Sequence, residues 1–167
     1  QKKSVTGVTV NNCVFVTSSA PIGDTSTNTY GGTVLTLKQP GMDTLNVRIT
    51  NGSPAGVHIY RVNQAPSNTK GTKGIGPNDR YFGVFHFGDT LTTYKAIYGY
   101  SANPYVTTAA EKTLRLYKRN NNADSAWKNA NATLNTVGKT LTANGQRTEY
   151  FMGSSDTTLE QKAAVSI

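Results

Sequence analysis

Residues 44–50, TLNVRIT, alternate strictly between polar and apolar side chains. Successive side chains of a β-strand point to opposite faces, so the pattern places Leu45, Val47 and Ile49 together on one face. The polar residues between them then lie on the other face. The stretch therefore predicts a strand that is buried on one side and exposed to solvent on the other.

Short segments of this kind recur along the chain, separated by residues typical of turns. Thr, Asn, Ser and Gly are abundant, and these residues favour strands and tight turns over helices. Only residues 103–114 could form a helical turn. We therefore predict an all-β fold, a β-sandwich with Ig-like or jelly-roll-like Greek-key connections and little or no helix. The predicted strands span residues 5–10, 13–18, 33–38, 44–50, 57–62, 80–87, 91–100, 113–119, 132–137, 139–144, 147–153 and 161–167.

The turn sequences predict how these strands connect. Asn-Asn at 11–12 and Gly-Asp at 88–89 are typical of β-hairpin turns, and Asn-Gly at 51–52 predicts a turn into the next strand. Residues 63–79 form the one long stretch without strand pattern, and their Gly, Pro, Asn and Lys indicate a surface loop or a domain boundary. Because the composition does not change across the stretch, we favour a loop. We therefore predict a single domain over residues 1–167.

Residues 113–153 contain the densest positive charge and the only tryptophan. Residues 113–119 predict a strand with Leu114 and Leu116 facing inward and Tyr117 facing outward. A polar tip follows, Trp127 begins the return strand, and the remaining segments are expected to continue as a meander. The stretch is thus interpreted mainly as a structural hairpin.

Composition limits the cellular setting. Hydrophobic residues make up 36% of the chain, and no apolar run reaches the ~18 residues of a membrane span, so no membrane insertion is expected. Cys13 is the only cysteine, which excludes an intrachain disulfide and favours a buried side chain. The chain opens at Gln1 without a methionine or an apolar signal segment, which is typical of a mature protein after signal-peptide removal. We expect an extracellular or cell-surface protein.

The formal net charge of +8 raises the question of an anionic partner. Basic residues are spread from Lys2 to Lys162, and neither an aromatic-and-basic motif nor zinc-ligand spacing occurs, so nucleic acid is not the expected partner. An acidic polysaccharide, an anionic cell envelope and solubility explain the charge equally well.

Residue types of catalytic and metal sites are too dispersed to define a site. His58 and His86 both lie within predicted strands without an acidic neighbour, so we expect surface or half-buried histidines rather than metal ligands. The nine acidic residues show no spacing that pairs two carboxylates. We therefore predict that the protein is not an enzyme and needs no cofactor or metal.

Aromatic residues are the better candidates for binding. Tyr94, Tyr98 and Tyr100 share one strand face, and with Trp127 they could stack against the pyranose rings of a polysaccharide or glycan. The alternative is that the same rings pack in the core or cover a neighbouring strand.

Two sequences of the form N-x-S/T begin at Asn51 and Asn131. Each is a possible glycosylation site and predicts an exposed loop in a host that modifies this motif.

The pattern of residues 83–153 resembles a known module. The segments that carry the likeness are TTYKAIYGY, EKTLRLYKR, NNNADSAW, ATLNTVGKTLTANG and RTEYFMG. They resemble a β-sandwich module of large secreted and cell-surface proteins of Bacteroidetes-type bacteria. The resemblance implies a secreted or surface location and does not imply a ligand.

The C-terminal residues predict a further strand beyond this module. Leu159, Ala163, Val165 and Ile167 share one parity and would form an apolar face that fills a groove. The N-terminal residues 1–10 offer a second free segment, so donation of a strand to the next subunit would build a head-to-tail homopolymer. We therefore predict a subunit of a pilus-like surface filament; pairing of both tails within their own sandwich, and a carbohydrate-binding module or adhesin, are the alternatives.

Strand exchange predicts that assembly depends on the C-terminal segment. The full chain should polymerise, whereas a chain ending at Ser155 and the Val165→Asp variant should stay monomeric, because each removes or charges the apolar face. Size-exclusion chromatography and electron microscopy measure this directly. A full chain that remains monomeric at high concentration, without fibres, contradicts the hypothesis.

Overall fold

The computed structural model describes residues 13–17, 21–23, 35–38, 42–62, 66, 69, 72–74, 80–120, 124 and 126–155. Within these residues the chain forms short β-strands and one helical turn. The helix α1 spans Thr108–Glu111, inside the stretch where the sequence allowed one, and the Thr107 hydroxyl caps it by accepting a hydrogen bond from the Ala110 amide. The strands are β1 (Cys13–Thr17), β2 (Pro21–Gly23), β3 (Leu35–Lys38), β4 (Thr44–Asn51), β5 (Gly56–Val62), β6 (Lys73–Gly74), β7 (Tyr81–Phe87), β8 (Thr93–Gly99), β9 (Leu114–Arg119), β10 (Lys128–Asn129), β11 (Thr133–Asn135), β12 (Thr140–Gly145) and β13 (Thr148–Ser154).

Among the described residues these strands form two sheets. The larger sheet has the order β10-β9-β13-β7-β5-β1-β2, with β6 also paired to β13, and the smaller sheet has the order β11-β12-β8-β4-β3. Neighbouring strands are antiparallel throughout. The predicted all-β sandwich is confirmed.

The core lies between the two sheets and follows the alternation of the sequence. In β4, Leu45 and Val47 are buried, Arg48 is exposed, and Ile49 is half-buried near the end of the strand. In β9, Leu114 and Leu116 also face this core. Burial of such aliphatic side chains stabilises the fold by roughly 1.5–3 kcal/mol each.

The expected hairpin at 88–89 is wrong. β7 belongs to the larger sheet and β8 to the smaller one, so this turn is an arch between sheets. Gly88 has φ +94°, and a Cβ there would lie 2.6 Å from the Ala55 Cβ, so glycine is required for the close approach to the β4–β5 connection. The Asp89 carboxylate fixes the two connections together by accepting hydrogen bonds from the Ser53 and Leu91 amides at 2.8 and 2.9 Å.

The expected meander over 113–153 is only partly present. β9 pairs with β10, and β11 pairs with β12, as two local hairpins. The chain changes sheets between β10 and β11 and again between β12 and β13. β13 then lies between β9 and β7, and all seven of its residues are buried.

The strands on either side of residues 63–79 pair with each other. β5 and β7 are in register from Gly56 opposite Phe87 to Val62 opposite Tyr81, so both belong to one sheet. The stretch predicted to be without strands contains the short β6. The predicted terminal strands at 5–10 and 161–167 and the turn at 11–12 lie outside the described residues.

Matched leucine truncations test the position of the core. Leu116 is completely buried whereas Leu91 is 72% exposed. Leu116→Ala should lower the free energy of unfolding by about 2–5 kcal/mol, because it removes buried methyl groups and leaves a cavity. Leu91→Ala should change it by less than about 0.5 kcal/mol. Urea denaturation followed by tryptophan fluorescence measures both; equal losses would contradict this core assignment.

Candidate functional site

The three tyrosines predicted to stack against sugar are core residues. Tyr94 and Tyr98 lie on β8, Tyr100 follows it, and each side chain is at most 2% exposed. They do share one face, as predicted, but that face packs against the larger sheet. Their rings have no surface free for a pyranose, so the sugar-stacking interpretation is wrong for all three and core packing is correct.

The hydroxyl groups of these tyrosines find partners at the margin of the core. Tyr98 donates to Asp43 Oδ2 at 2.7 Å, and Tyr100 donates to Glu111 Oε1 at 2.8 Å. Tyr94 accepts a hydrogen bond from the Tyr150 hydroxyl at 3.1 Å. Burial raises the pKa of Asp43, although the hydrogen bonds from Tyr98 and Asn103 act in the opposite direction. These contacts satisfy the polar ends of buried rings and serve packing.

Trp127 is also buried, on the outer face of the larger sheet. It forms a second cluster with three aromatic rings, those of Tyr81, Tyr117 and Phe151. Tyr117 faces away from the main core as predicted but is covered there rather than exposed. The sugar-stacking interpretation is therefore wrong for Trp127 as well, because its ring is enclosed by its neighbours.

A buried ion pair joins this aromatic cluster to the sheet. The Arg119 guanidinium bonds to the Glu149 carboxylate, and both side chains are buried. The guanidinium carbon lies 4.4 Å from the Trp127 ring centroid, a cation–π contact. Glu149 also accepts a hydrogen bond from the Tyr60 hydroxyl at 2.8 Å. The Arg119 guanidinium therefore has its partners within the protein itself.

A small cavity of about 100 Å³ lies beside α1. The Lys139 ammonium, at its wall, bonds to both Glu111 carboxylate oxygens at 2.8 and 3.0 Å. That contact first, and the Tyr100 hydroxyl second, lower the pKa of Glu111. Because these charges satisfy each other, the cavity offers little to a ligand.

A much larger groove, of about 810 Å³, opens at the end of the sandwich where β7 and β12 end. Three segments of the chain build it: 85–93, 118–120 and 144–148. Its lining is polar except for one aromatic ring. The lining residues are Phe85, His86, Thr90, Thr93, Lys118, Asn120, Asn144, Gly145, Gln146, Arg147 and Thr148.

Phe85 and Arg147 form the most prominent pair in the groove. Phe85 lies on the outer face of β7 and is 45% exposed, although aromatic side chains are usually covered. The Arg147 guanidinium carbon lies 4.9 Å from the centre of its ring. Arg147 Nε donates to the His86 carbonyl oxygen at 3.1 Å, which fixes the guanidinium over the ring.

His86 faces the interior side of the same strand and is 1% exposed, contrary to the expectation of a surface or half-buried residue. His58 is half-buried, in line with that expectation. Neither ring nitrogen of His86 makes a hydrogen bond of good geometry among the described residues, although the nearby Asp89 backbone opposes the fall of its pKa. Burial and then the charge of Arg147 lower the pKa of His86, so the ring is neutral near pH 7 and carries one donor and one acceptor. An unpartnered buried polar group costs about 1–3 kcal/mol.

The sequence did not point to this groove as a site. Its residues come from three separated segments, and only the fold brings them together. One signal was available: Phe85 has the outward parity in RYFGVFHF, opposite to the buried Phe82 and Val84.

The two N-x-S/T asparagines, Asn51 and Asn131, are both exposed, and Asn131 has φ 52° in the connection between β10 and β11. Their glycosylation stays a prediction. The strand-exchange residues Leu159, Ala163, Val165 and Ile167 lie outside the described residues.

In the part of the chain that the structure describes, no three His, Cys, Asp or Glu side chains converge as metal ligands. No helix within the described residues has the length and apolar character needed to cross a membrane.

Comparison with protein-family models found no matching family, and comparisons with curated proteins and with solved structures found no match. The class of protein is therefore defined by the fold alone, an antiparallel two-sheet β-sandwich. The functional interpretation depends on the geometry of the groove.

Breaking the Arg119–Glu149 ion pair should show that the outer aromatic cluster stabilises the fold. Arg119→Met should lower the free energy of unfolding by about 3–5 kcal/mol, because it leaves the Glu149 carboxylate buried without its cation. The double variant Arg119→Met with Glu149→Gln should recover much of that loss, since Gln still accepts from Tyr60. Urea denaturation compares the two, and equal losses in both would contradict the ion-pair argument.

Proposed function

We propose that this protein is a carbohydrate-binding or adhesin domain of an extracellular or cell-surface protein, and that it binds glycan through the groove at 85–93, 118–120 and 144–148. The observation that carries the proposal is the exposed Phe85 ring beside an open, polar groove. Sugar rings combine apolar C–H faces with hydroxyl groups, so a site for them needs an aromatic surface next to hydrogen-bonding side chains.

The polar lining matches the hydroxyl groups of a sugar. Asn120, Asn144 and Gln146 each carry an amide with two donor hydrogens and an acceptor oxygen. A sugar hydroxyl both donates and accepts, so one amide can bind adjacent hydroxyls. Thr90 and Thr93 add hydroxyl groups to the lining.

The size of the groove also suits the binding of a glycan. Its volume of about 810 Å³ lies within the roughly 300–1,000 Å³ of known small-molecule sites. The position at an end of the sandwich leaves it open, as binding of part of a longer polysaccharide requires.

The chemistry favours binding over turnover. None of the described residues lining the groove carries a carboxylate, whereas glycoside hydrolysis uses a pair of them. We therefore propose retention of the glycan without cleavage, and a role in attachment.

Filament formation by strand exchange remains a separate proposal. It is supported by the apolar parity of Leu159, Ala163, Val165 and Ile167, residues outside the described part of the chain. A glycan-binding groove at one end of a filament subunit is compatible with both roles.

Glycan binding should depend on Phe85. On an array of neutral and acidic oligosaccharides the protein should bind a defined subset, and Phe85→Ala should weaken that binding at least ~10-fold because the stacking surface is lost.

Val137→Ala is the matched control, since Val137 is 93% exposed at the turn between β11 and β12, away from the groove. It should bind as the parent does. An array without binding, or a Phe85→Ala variant that binds unchanged, would count against the groove as a glycan site.

A further inference from the structure

The charged residues of the groove are all cations. Lys118 lies on β9 and Arg147 in the connection before β13, and no acidic residue is among the described residues that line the groove. Neither the Lys118 ammonium nor the Arg147 guanidinium has a carboxylate partner in the described part of the chain. Two unpaired cations in one concave surface attract negative charge.

The acidic residues nearest to the groove in the chain have hydrogen-bond or ion-pair partners other than the two groove cations. The Asp89 carboxylate accepts from the Ser53 and Leu91 amides, and the Asp124 carboxylate accepts from the Asn120 amide at 2.7 Å. Glu149 lies on the outer face of the larger sheet, the face that also carries Phe85, and there it pairs with Arg119. None of these three acids forms an ion pair with Lys118 or Arg147.

We propose that the groove binds an acidic polysaccharide, with the carboxylate of a uronic acid residue held by Arg147 and Lys118. This inference rests on the proposed glycan-binding function and adds the class of sugar. A guanidinium presents paired donors that match the two oxygens of a carboxylate. Arg147 uses only Nε on the His86 carbonyl, so its terminal amino groups remain for the ligand.

His86 contributes to the groove through its backbone, because its carbonyl oxygen accepts from Arg147 Nε, whereas both nitrogens of its ring are buried away from a ligand. The formal net charge of +8 adds long-range attraction for a polyanion.

Nucleic acid would also be attracted by the positive charge of the groove, but the groove lacks the aromatic surface that nucleic acid needs. Binding of single strands uses successive aromatic rings on which bases stack. Phe85 is the one exposed aromatic ring among the described groove residues, so successive bases would lack a second stacking surface. The combination favours a carboxylated sugar.

Oligogalacturonate and its fully methyl-esterified form provide the test, together with oligoguluronate and its methyl ester, because each ester keeps the sugar chain and replaces the carboxylate by a neutral group. Isothermal titration should show the acid of at least one pair binding at least ~10-fold more tightly than its ester. That affinity should fall on raising sodium chloride from 50 to 300 mM, since salt screens charge.

Arg147→Gln and Lys118→Gln should each reduce binding of the acid form at least ~5-fold, with little effect on the ester. Arg115→Gln and Lys112→Gln are the charge-matched controls, because Arg115 lies near the end of β9 that is opposite to Lys118 and Lys112 precedes that end, after α1. These controls should bind the acid form as the parent does. If both sets lose affinity equally, net charge alone is responsible and the inference is wrong.

The outcomes separate this inference from the proposed function. Equal binding of acid and ester overturns the carboxylate assignment and leaves a neutral glycan site. Absence of binding to both pairs overturns it too, and the Phe85-dependent array result then decides the proposed function independently. Tighter binding of a single-stranded oligonucleotide than of either uronate would also overturn the inference in favour of nucleic acid.

Discussion

Burial of both faces of β13 is the constraint on which the rest of the structure depends. Tyr150 and Met152 face the core between the sheets, whereas Phe151 and Glu149 face the outer cluster. A strand that is covered on both sides cannot leave a carboxylate without a partner, so Glu149 requires Arg119. The start of the same strand, at Thr148, also forms part of the groove.

The tyrosines show why aromatic residues are poor indicators of a binding site in a sandwich. A tyrosine at the margin of the core buries its ring and keeps its hydroxyl near polar groups, as Tyr98 does with Asp43 and Tyr100 with Glu111. In the sequence, tyrosines of this kind alternate along a strand in the same way as exposed tyrosines that could stack against a sugar. The exposed aromatic ring of the groove is instead Phe85, whose side chain has no polar group to satisfy.

The groove is a product of the connections between the sheets. The arch after β7, the end of β9 and the link from β12 to β13 meet at one end of the molecule, and each contributes polar or basic side chains. Asp89 and Arg147 bond to backbone groups of neighbouring segments, which holds this end together. The basic residues, which are dispersed in the sequence, are therefore locally concentrated, and none of the described residues lining the groove is acidic.

The sequence by itself determined the longer β-strands, the all-β class and the helical turn near residue 108, but not the short β2 and β6. It did so because alternation such as that of 44–50 defines two faces of a strand, and Thr- and Asn-rich segments disfavour helices. Only the tertiary structure decided that the turn at 88–89 joins two sheets, that Trp127 is enclosed, and that residues 85–93 meet 144–148. The physical reason is that period-two alternation does not identify the partner strand: backbone hydrogen bonds are satisfied equally by a hairpin neighbour or a distant strand, and the choice follows from packing the two faces.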